Sequence, residues 1–367
     1  MSTKKDKFSL KDKTFMKLAL NLAKARIGLT GANPSVGCVI VKNEKIVSIG
    51  QTGYGGRPHA EYNAIKNSFQ SLKNSKMYVT LEPCNHYGET PPCTNKIIKS
   101  GINEVFFSMD DIDKRVKGKT IKILRKNDIL VRRGLLKDEV RKLYDSYIIN
   151  RKNKMPYVSG KIAVSKNKLI YSKSQKRITD SVSDKLTHYL RYKNDAILIS
   201  NKTLKTDNPR LDCRLKGYEN FSPKRIILDR ELTLDLGSNI IKTAKKGNTI
   251  IFHNSKNNYK INFLKRKGVI FIKSKLDRNK LFDLRFILKK LFSLNIRNLL
   301  LEGGDKLTKN FLKSNLINTF YLFKSPKIIK DKESLSFTSF DLLDKKYIKK
   351  YIVKSKLLKD KITIYKR

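Results

Sequence analysis

Residues 59–61 of this chain read His-Ala-Glu, and residues 83–93 begin with Pro-Cys and end with a second cysteine. One imidazole and two thiolates can hold a zinc ion and leave its fourth position open for water. Glu61 lies two residues after the histidine, so its carboxylate can reach that water without binding the metal. The pattern therefore predicts a zinc centre with His59, Cys84 and Cys93 as ligands, and Glu61 as general base and then general acid.

This layout, with a glutamate that shuttles protons beside the metal, is that of the zinc deaminases of nucleobases. Their signature has two residues between the cysteines, whereas eight residues, 85–92, separate them here. A lone histidine or cysteine is usually structural, and we expect Cys38, inside an apolar run, to be buried. Cys213, His188 and His253 lie in no ligand-like context. Two of the four histidines and two of the four cysteines fall in the window, which argues against a chance arrangement.

The net charge of +49, from 81 Lys+Arg and 32 Asp+Glu, is the strongest feature of the composition. A basic excess of this size is typical of nucleic-acid binding, and also of a lysine-rich protein that acts on small anions. The lysines are spread along the whole chain. There is no tryptophan, and no segment interleaves arginine with aromatic residues as a base-stacking surface would. We therefore predict a small-molecule substrate and no nucleic-acid partner.

The length and the cysteine content of the chain indicate its number of domains and its cellular compartment. A chain of 367 residues predicts two domains. The N-terminus shows no basic start followed by a long apolar run, so we expect no signal peptide and no membrane span. Four cysteines, two of them in a metal-like pattern, indicate a reducing compartment. We predict a cytoplasmic protein without a membrane partner.

Hydrophobic periodicity predicts an α/β protein in which strands alternate with helices. A polar segment over residues 150–156, which ends in Pro156, predicts the boundary between two such series. The predicted strands are 36–41, 45–50, 77–81, 105–108, 157–164, 196–200, 225–229, 249–253, 269–272, 298–301, 320–323 and 361–365. The predicted helices are 9–26, 59–68, 94–99, 183–193 and 283–294.

Three segments, residues 33–37, 58–61 and 81–93, resemble the deaminase half of the bifunctional riboflavin-biosynthesis deaminase/reductase family. That family deaminates a diaminohydroxy-pyrimidine carrying a phosphoribosylamino group, and then reduces the ribose to a ribityl chain with NADPH. The resemblance implies a cytidine-deaminase-like three-layer α/β/α domain over residues 1–150. It also implies that Asn33, His86 and Thr90 bind the substrate. The structural alternatives are a turn residue for Asn33 and a solvated loop histidine for His86.

The resemblance continues through residues 151–367, where it implies a dihydrofolate-reductase-like α/β domain. Residues 203–211 with Arg214 resemble the substrate motif of the reductase, and residues 300–304 end a strand and open a helix. Glycines at such a helix N-terminus let the backbone approach a pyrophosphate. The implied substrate-binding residues are Arg191, Leu211, Arg214 and Glu302. The implied cofactor-binding residues are Val164, Arg177, Thr203, Asp207, Gly303 and Gly304.

Arg191 and Arg214 are chemically suited to phosphate, and Asp207 to ordering the ribose or relaying a proton. The alternatives are solvated surface arginines, and an aspartate that forms a turn before Asn208. The resemblance also implies a homo-oligomer.

The second half departs from the family at two places. Ser165 is followed by Lys-Asn-Lys where the family has a Ser-x-Asp-Gly segment, and Arg177 stands where the family usually has tryptophan. Three hypotheses remain: a bifunctional zinc deaminase and NADPH reductase, a deaminase with an inactive reductase half, and a nucleic-acid deaminase that acts, for example, on tRNA. NADPH binding distinguishes the first two, and salt-dependent RNA retention would indicate the third.

Overall fold

The computed structural model describes residues 8–173, 177–331, 333–355 and 357–367. The chain divides into two compact units, Met1–Lys154 and Met155–Arg367. Across the described residues, every helix is too short or too polar to cross a lipid bilayer. The segment 150–156 is helical through Asn153, so the predicted break begins only at Lys154, which ends the helix in a left-handed conformation.

The first unit contains a five-stranded sheet in the order β2-β1-β3-β4-β5. β1 is antiparallel to β2 and to β3, whereas β3, β4 and β5 are parallel. Its elements are α1 (Leu10–Ala25), β1 (Gly37–Lys42), β2 (Lys45–Gln51), α2 (Ala60–Lys66), β3 (Lys76–Leu81), α3 (Cys93–Lys99), β4 (Glu104–Met109), α4 (Lys119–Arg125), β5 (Leu130–Arg133), α5 (Lys137–Leu143) and α6 (Asp145–Asn153).

Helices cover both faces of this sheet, as its continuous apolar strands require. β4 is buried over all six residues. α1 lies so close to β1 that a Cβ atom on Gly37 would fall 1.9 Å from the carbonyl oxygen of Ala19. α2 approaches β2 equally closely, because a Cβ atom on Gly50 would lie 2.2 Å from the oxygen of Ala60. The predicted three-layer arrangement is confirmed.

The second unit contains a nine-stranded sheet in the order β11-β10-β9-β8-β12-β6-β13-β16-β15, and a two-stranded sheet of β14 and β7. The strands are β6 (Tyr157–Val164), β7 (Leu169–Tyr171), β8 (Ala196–Ser200), β9 (Lys224–Leu228), β10 (Thr249–His253), β11 (Ile270–Lys273), β12 (Asn298–Leu301), β13 (Thr319–Lys324), β14 (Leu335–Ser336), β15 (Lys349–Ile352) and β16 (Lys361–Lys366). The helices are α7 (Ser181–Tyr192), α8 (Asn201–Asp207), α9 (Asn239–Lys242), α10 (Asn258–Arg266), α11 (Leu284–Ser293), α12 (Asp305–Lys313) and α13 (Phe340–Lys346).

Seven neighbouring strands of the large sheet, from β11 to β13, are parallel. Alternate residues of a strand face opposite sides of a sheet. In β8, Ala196 and Leu198 belong to one apolar cluster and Ile197 and Ile199 to another, so both faces are buried. Because the strands are parallel, their carboxyl ends open on one edge, which is where doubly wound sheets bind ligands.

Candidate functional site

The three predicted metal ligands of the first unit converge, although they come from different elements. His59 is the residue before α2, Cys84 follows β3, and Cys93 is the first residue of α3. The Nδ1 atom of His59 lies 3.5 Å from the Sγ of Cys84 and 3.4 Å from the Sγ of Cys93. All three ligand atoms lie within 4.8 Å of one another.

This geometry fits zinc. Tetrahedral Zn–S and Zn–N bonds of ordinary length place sulfur and nitrogen about 3.5 Å apart. Hydrogen bonds from the Cys93 thiol, from His59 and from the Cys93 N–H lower the pKa of Cys84 to about 4, even though burial opposes this. The pKa of the Cys93 thiol is raised well above its usual value, first by its hydrogen bond to Cys84 and then by burial. The directions of these two pKa shifts favour a thiolate at Cys84 and a thiol at Cys93 in the metal-free protein.

Glu61 lies in the first turn of α2 and is 4% exposed. Burial raises the pKa of its carboxyl group to about 7. A carboxyl group with this pKa can both accept and return a proton near neutrality. Cys38 is fully buried in β1, as predicted.

The predicted substrate-binding residues of the first unit lie in loops next to the ligands. Asn33 donates a hydrogen bond from Nδ2 to the oxygen of Gly56, 3.0 Å away, and so joins two loops. His86 is half-buried, and its Nδ1 has no hydrogen-bond partner within the described residues. Thr90 is exposed, and its hydroxyl oxygen accepts a hydrogen bond from Arg57. Substrate contacts by these residues stay a prediction.

In the second unit a cavity of about 780 Å³ lies at the carboxyl ends of β6, β8, β9 and β12. Five predicted site residues line it: Thr203, Asp207, Glu302, Gly303 and Gly304. Gly304 is the residue before α12, so the cavity meets that helix at its N-terminus. Asp207 lines the cavity and is exposed to solvent. Partial desolvation by the surrounding protein, and then the charge of Glu302, raise the pKa of its carboxyl group to about 6.

The structure places the other five predicted reductase residues outside the lining of this cavity. Val164 and Leu211 are core residues, 0% and 2% exposed. Arg177 is exposed, with Nε 3.8 Å from Asp184. Arg214 is also exposed and binds Asp212.

Arg191 is a different case, because its guanidinium group is already bound. It donates from Nε and Nη2 to the two carboxylate oxygens of Glu302, at 2.9 and 2.8 Å, and from Nη1 to the carbonyl oxygen of Asp212. Its alternative, a solvated surface arginine, does not describe it, because the side chain is 12% exposed. Three of the five N–H donors of Arg191 are therefore bound within the protein, and its pairing with a phosphate stays a prediction.

Sequence reasoning missed Lys161. This residue of β6 lines the cavity, and burial lowers the pKa of its ammonium group while Glu302 opposes that shift. The signal in the sequence was a lysine inside an otherwise apolar central strand, where an unpaired charge is costly.

At the departure after Ser165, Lys168 takes a positive φ of 68° and Asn167 donates a hydrogen bond to the oxygen of Ile329, so the turn forms without the glycine.

Comparison with known proteins matches both units. Residues 9–109 match the model described as the cytidine and deoxycytidylate deaminase zinc-binding region, and residues 168–353 match the RibD C-terminal domain. The riboflavin biosynthesis protein RibD of Aquifex aeolicus is 38% identical over 87% of this chain and 88% of its own length. That of Actinobacillus pleuropneumoniae is 36% identical over 89% of this chain and 86% of its own.

Solved structures give the same result. Acinetobacter baumannii RibD, form 1, superimposes with a TM-score of 0.83 at 27% identity, covering 97% of this chain and 98% of that one. A diaminohydroxyphosphoribosylaminopyrimidine deaminase/5-amino-6-(5-phosphoribosylamino)uracil reductase from Thermotoga maritima superimposes with a TM-score of 0.80 at 31% identity, covering 97% and 99%.

Proposed function

Because the chain belongs to the family of the riboflavin biosynthesis protein RibD, we propose that it deaminates 2,5-diamino-6-(5-phosphoribosylamino)pyrimidin-4(3H)-one with zinc and then reduces the ribosyl group with NADPH. It is a bifunctional enzyme of riboflavin biosynthesis with deaminase and reductase domains. The observation that carries the finer proposal is the convergence of His59, Cys84 and Cys93 beside the buried Glu61. We assign deamination to residues 1–150 and reduction to residues 151–367.

The metal site would hold zinc through His59, Cys84 and Cys93. Bound zinc supplies an acidified water, whose pKa falls to about 7. The Glu61 carboxylate would accept a proton from the attacking water and return it to the departing ammonia. Asn33, His86 and Thr90 would hold the substrate beside it.

The reductase cavity would hold NADPH and the phosphoribosyl group together, since its volume suits a cofactor with part of a substrate. NADPH supplies the hydride, and the protein positions it. Gly303 and Gly304 let the backbone at the start of α12 approach a pyrophosphate. Lys161 and Glu302 present opposite charges to the ribosyl hydroxyl groups, and Asp207 orders the ribose or relays a proton. The remaining predicted contacts are Val164, Arg177 and Thr203 for the cofactor, and Arg191, Leu211 and Arg214 for the substrate.

A deaminase with an inactive reductase half is the second candidate. The exposed Arg177 favours it, because an aromatic wall for the cofactor is missing at this position. The retained cavity with Lys161, Asp207 and Glu302 favours the bifunctional enzyme.

Simultaneous assay of both reactions tests the proposal. The zinc-loaded protein is given the diamino-pyrimidine ribosyl phosphate, and ammonia release and NADPH absorbance are followed together. Ammonia with a matching loss of NADPH is the expected result. Ammonia without NADPH loss would leave the deaminase alone, and the absence of both would refute the proposed function.

A further inference from the structure

The loop between the two cysteine ligands, residues 85–92, is held at its ends and exposed at its tip. At its start, Asn85 donates hydrogen bonds from Nδ2 to the oxygen of Val116 and to the hydroxyl of Thr120, at 2.9 and 3.0 Å. At its end, Pro92 is buried at the start of α3. Residues 87–91 are all exposed. Exposed loop tips with few contacts are the least stable parts of a fold, so a tether here changes the order of the site.

Arg57 supplies such a tether. Its Nη1 donates to the hydroxyl oxygen of Thr90 at 2.6 Å, and its Nε lies 2.9 Å from Oε2 of Glu89. Within the described residues, Glu89 and Thr90 have no other side-chain hydrogen bond or ion pair. The arginine side chain is 29% exposed, against 82% for Glu89, so Arg57 is the fixed partner and the loop is the part that it orders.

The backbone around Arg57 is itself fixed. The N–H of Gly53 donates to the oxygen of Pro58 at 2.9 Å, closing a turn over residues 53–58. A Cβ atom on Gly53 would lie 2.2 Å from the oxygen of Arg57, so the turn admits only glycine there. Arg57 precedes His59 by two residues. The guanidinium group therefore links the segment that carries the imidazole ligand to the loop that joins the two thiolates.

The direction of the hydrogen bond between Arg57 and Thr90 determines what the Thr90 hydroxyl group can offer to a ligand. A guanidinium group donates and never accepts. The hydroxyl oxygen of Thr90 must therefore be the acceptor, which leaves the hydroxyl hydrogen to donate to an oxygen atom of a ligand. We propose that Arg57 is a positioning residue of the deaminase site, which orders the loop and presents Thr90 as a hydrogen-bond donor to the phosphoribosyl part of the substrate. This inference rests on the proposed deaminase function.

A double-mutant cycle tests the coupling between the two residues. Arg57→Ala and Thr90→Val should each raise KM for deamination by about tenfold, the scale of one hydrogen bond to a charged group. Zinc content should be unchanged and kcat should change less than KM. The double variant should show less than the product of the two single effects, because both substitutions break the hydrogen bond between Arg57 and Thr90. Arg57→Lys, which keeps a charged donor, should recover part of the loss.

Arg125→Ala is the matched control, since Arg125 is exposed on α4 of the same unit and has no side-chain partner within the described residues. It should leave KM unchanged. An unchanged KM in Arg57→Ala, or fully multiplicative effects in the double variant, would overturn the inference.

Limited digestion reports on the tether without depending on activity. Tyr87 is 74% exposed in the loop, and chymotryptic cleavage after it can be followed by peptide mass. Cleavage of full-length Arg57→Ala should be about tenfold faster than cleavage of the wild type, because it follows the open population of the loop. Arg125→Ala should match the wild type. If the wild type releases no ammonia, the deaminase proposal fails, whereas unchanged cleavage in Arg57→Ala refutes the tether itself.

Discussion

Arg191 and Glu302, 111 residues apart, form an ion pair with two hydrogen bonds, and Glu302 lines the cavity of the second unit. Burial opposes ionisation of Glu302, but the neighbouring guanidinium group outweighs burial, so the pKa of Glu302 lies below its usual value. The pair thus keeps a negative charge beside Lys161 within the protein interior. Arg191 therefore stabilises the ionised form of Glu302.

Removing the arginine should therefore destabilise the second unit. Arg191→Met leaves a buried carboxylate without its partner, and we expect the local unfolding free energy to fall by about 3 kcal/mol. Because the chain has two units, hydrogen exchange of peptides from β12 is a sounder measure than a single melting curve. Arg230→Met is the control, because its pair with Glu231 is exposed and should contribute less than about 1 kcal/mol. Equal losses in the two variants would contradict this account.

Substitutions at the metal centre should affect zinc content and deamination differently, depending on whether the residue is a zinc ligand. Glu61→Gln should keep zinc but lose at least about 100-fold in ammonia release, because the amide cannot carry the proton. Cys84→Ala should lose both zinc and activity, because two ligands hold the ion poorly. Metal analysis of the purified variants beside the ammonia assay makes the distinction. A Glu61→Gln protein as poor in zinc as Cys84→Ala would show that the glutamate is a ligand.

Lys161→Met should affect only the second reaction. It keeps the length of the side chain and removes the charge that faces the cavity, so NADPH oxidation should fall at least about 100-fold while ammonia release is unchanged. Lys202→Met offers a comparison, since Lys202 lines the same cavity but is exposed. If both variants lost NADPH oxidation equally, a general effect of positive charge would replace the specific role.

Stability should depend on pH through Asp207. Its carboxyl group titrates near pH 4 when unfolded and with a pKa of about 6 when folded. Between these values the folded state binds more protons, so stability falls as pH rises, and above about pH 6 the full penalty applies. Asp207→Asn should therefore raise stability at pH 8 and leave it unchanged below pH 4.

The gain at pH 8 should not exceed about 1 kcal/mol, because the side chain is exposed and solvent screens its charge. Hydrogen exchange of peptides from α8 in both proteins at the two pH values, each compared with the intrinsic exchange rate at that pH, is the measurement. A larger gain at low pH would reverse the assigned direction of the pKa shift.

Apolar runs made much of the fold predictable. All predicted strands are present, and Tyr157–Val164, Ala196–Ser200 and Asn298–Leu301 have the predicted bounds, because strands buried on both faces read as continuous apolar segments. Periodicity predicts no helix or strand over residues 110–153, although three helices and β5 lie there. Helices such as α4, Lys-Thr-Ile-Lys-Ile-Leu-Arg, bury few residues, so their amphipathic pattern is short.

The metal ligands were predictable because their residue types and spacing are specific, whereas the reductase site was predictable only in part. Thr203 and Gly304 lie together because β8 and β12 are neighbours in the sheet. The hydrophobic periodicity of a segment predicts a strand but not which strands pair, so this proximity could not be predicted. The pairing of Arg191 with Glu302 depends on the same order. Lys161 is recognised only once β6 is known to lie beside β12.

That strand order has a consequence for the time at which the second site forms during synthesis. β12 lies between β6 and β8, so the native arrangement of these two earlier strands cannot form until residues 298–301 have left the ribosome. Glu302, Gly303 and Gly304 arrive with the same strand. The cavity of the second unit is therefore completed late by a long-range insertion, which is slow compared with local folding. Because the strands described in the first unit lie within residues 37–133, we expect this unit to fold while the remainder is still being made.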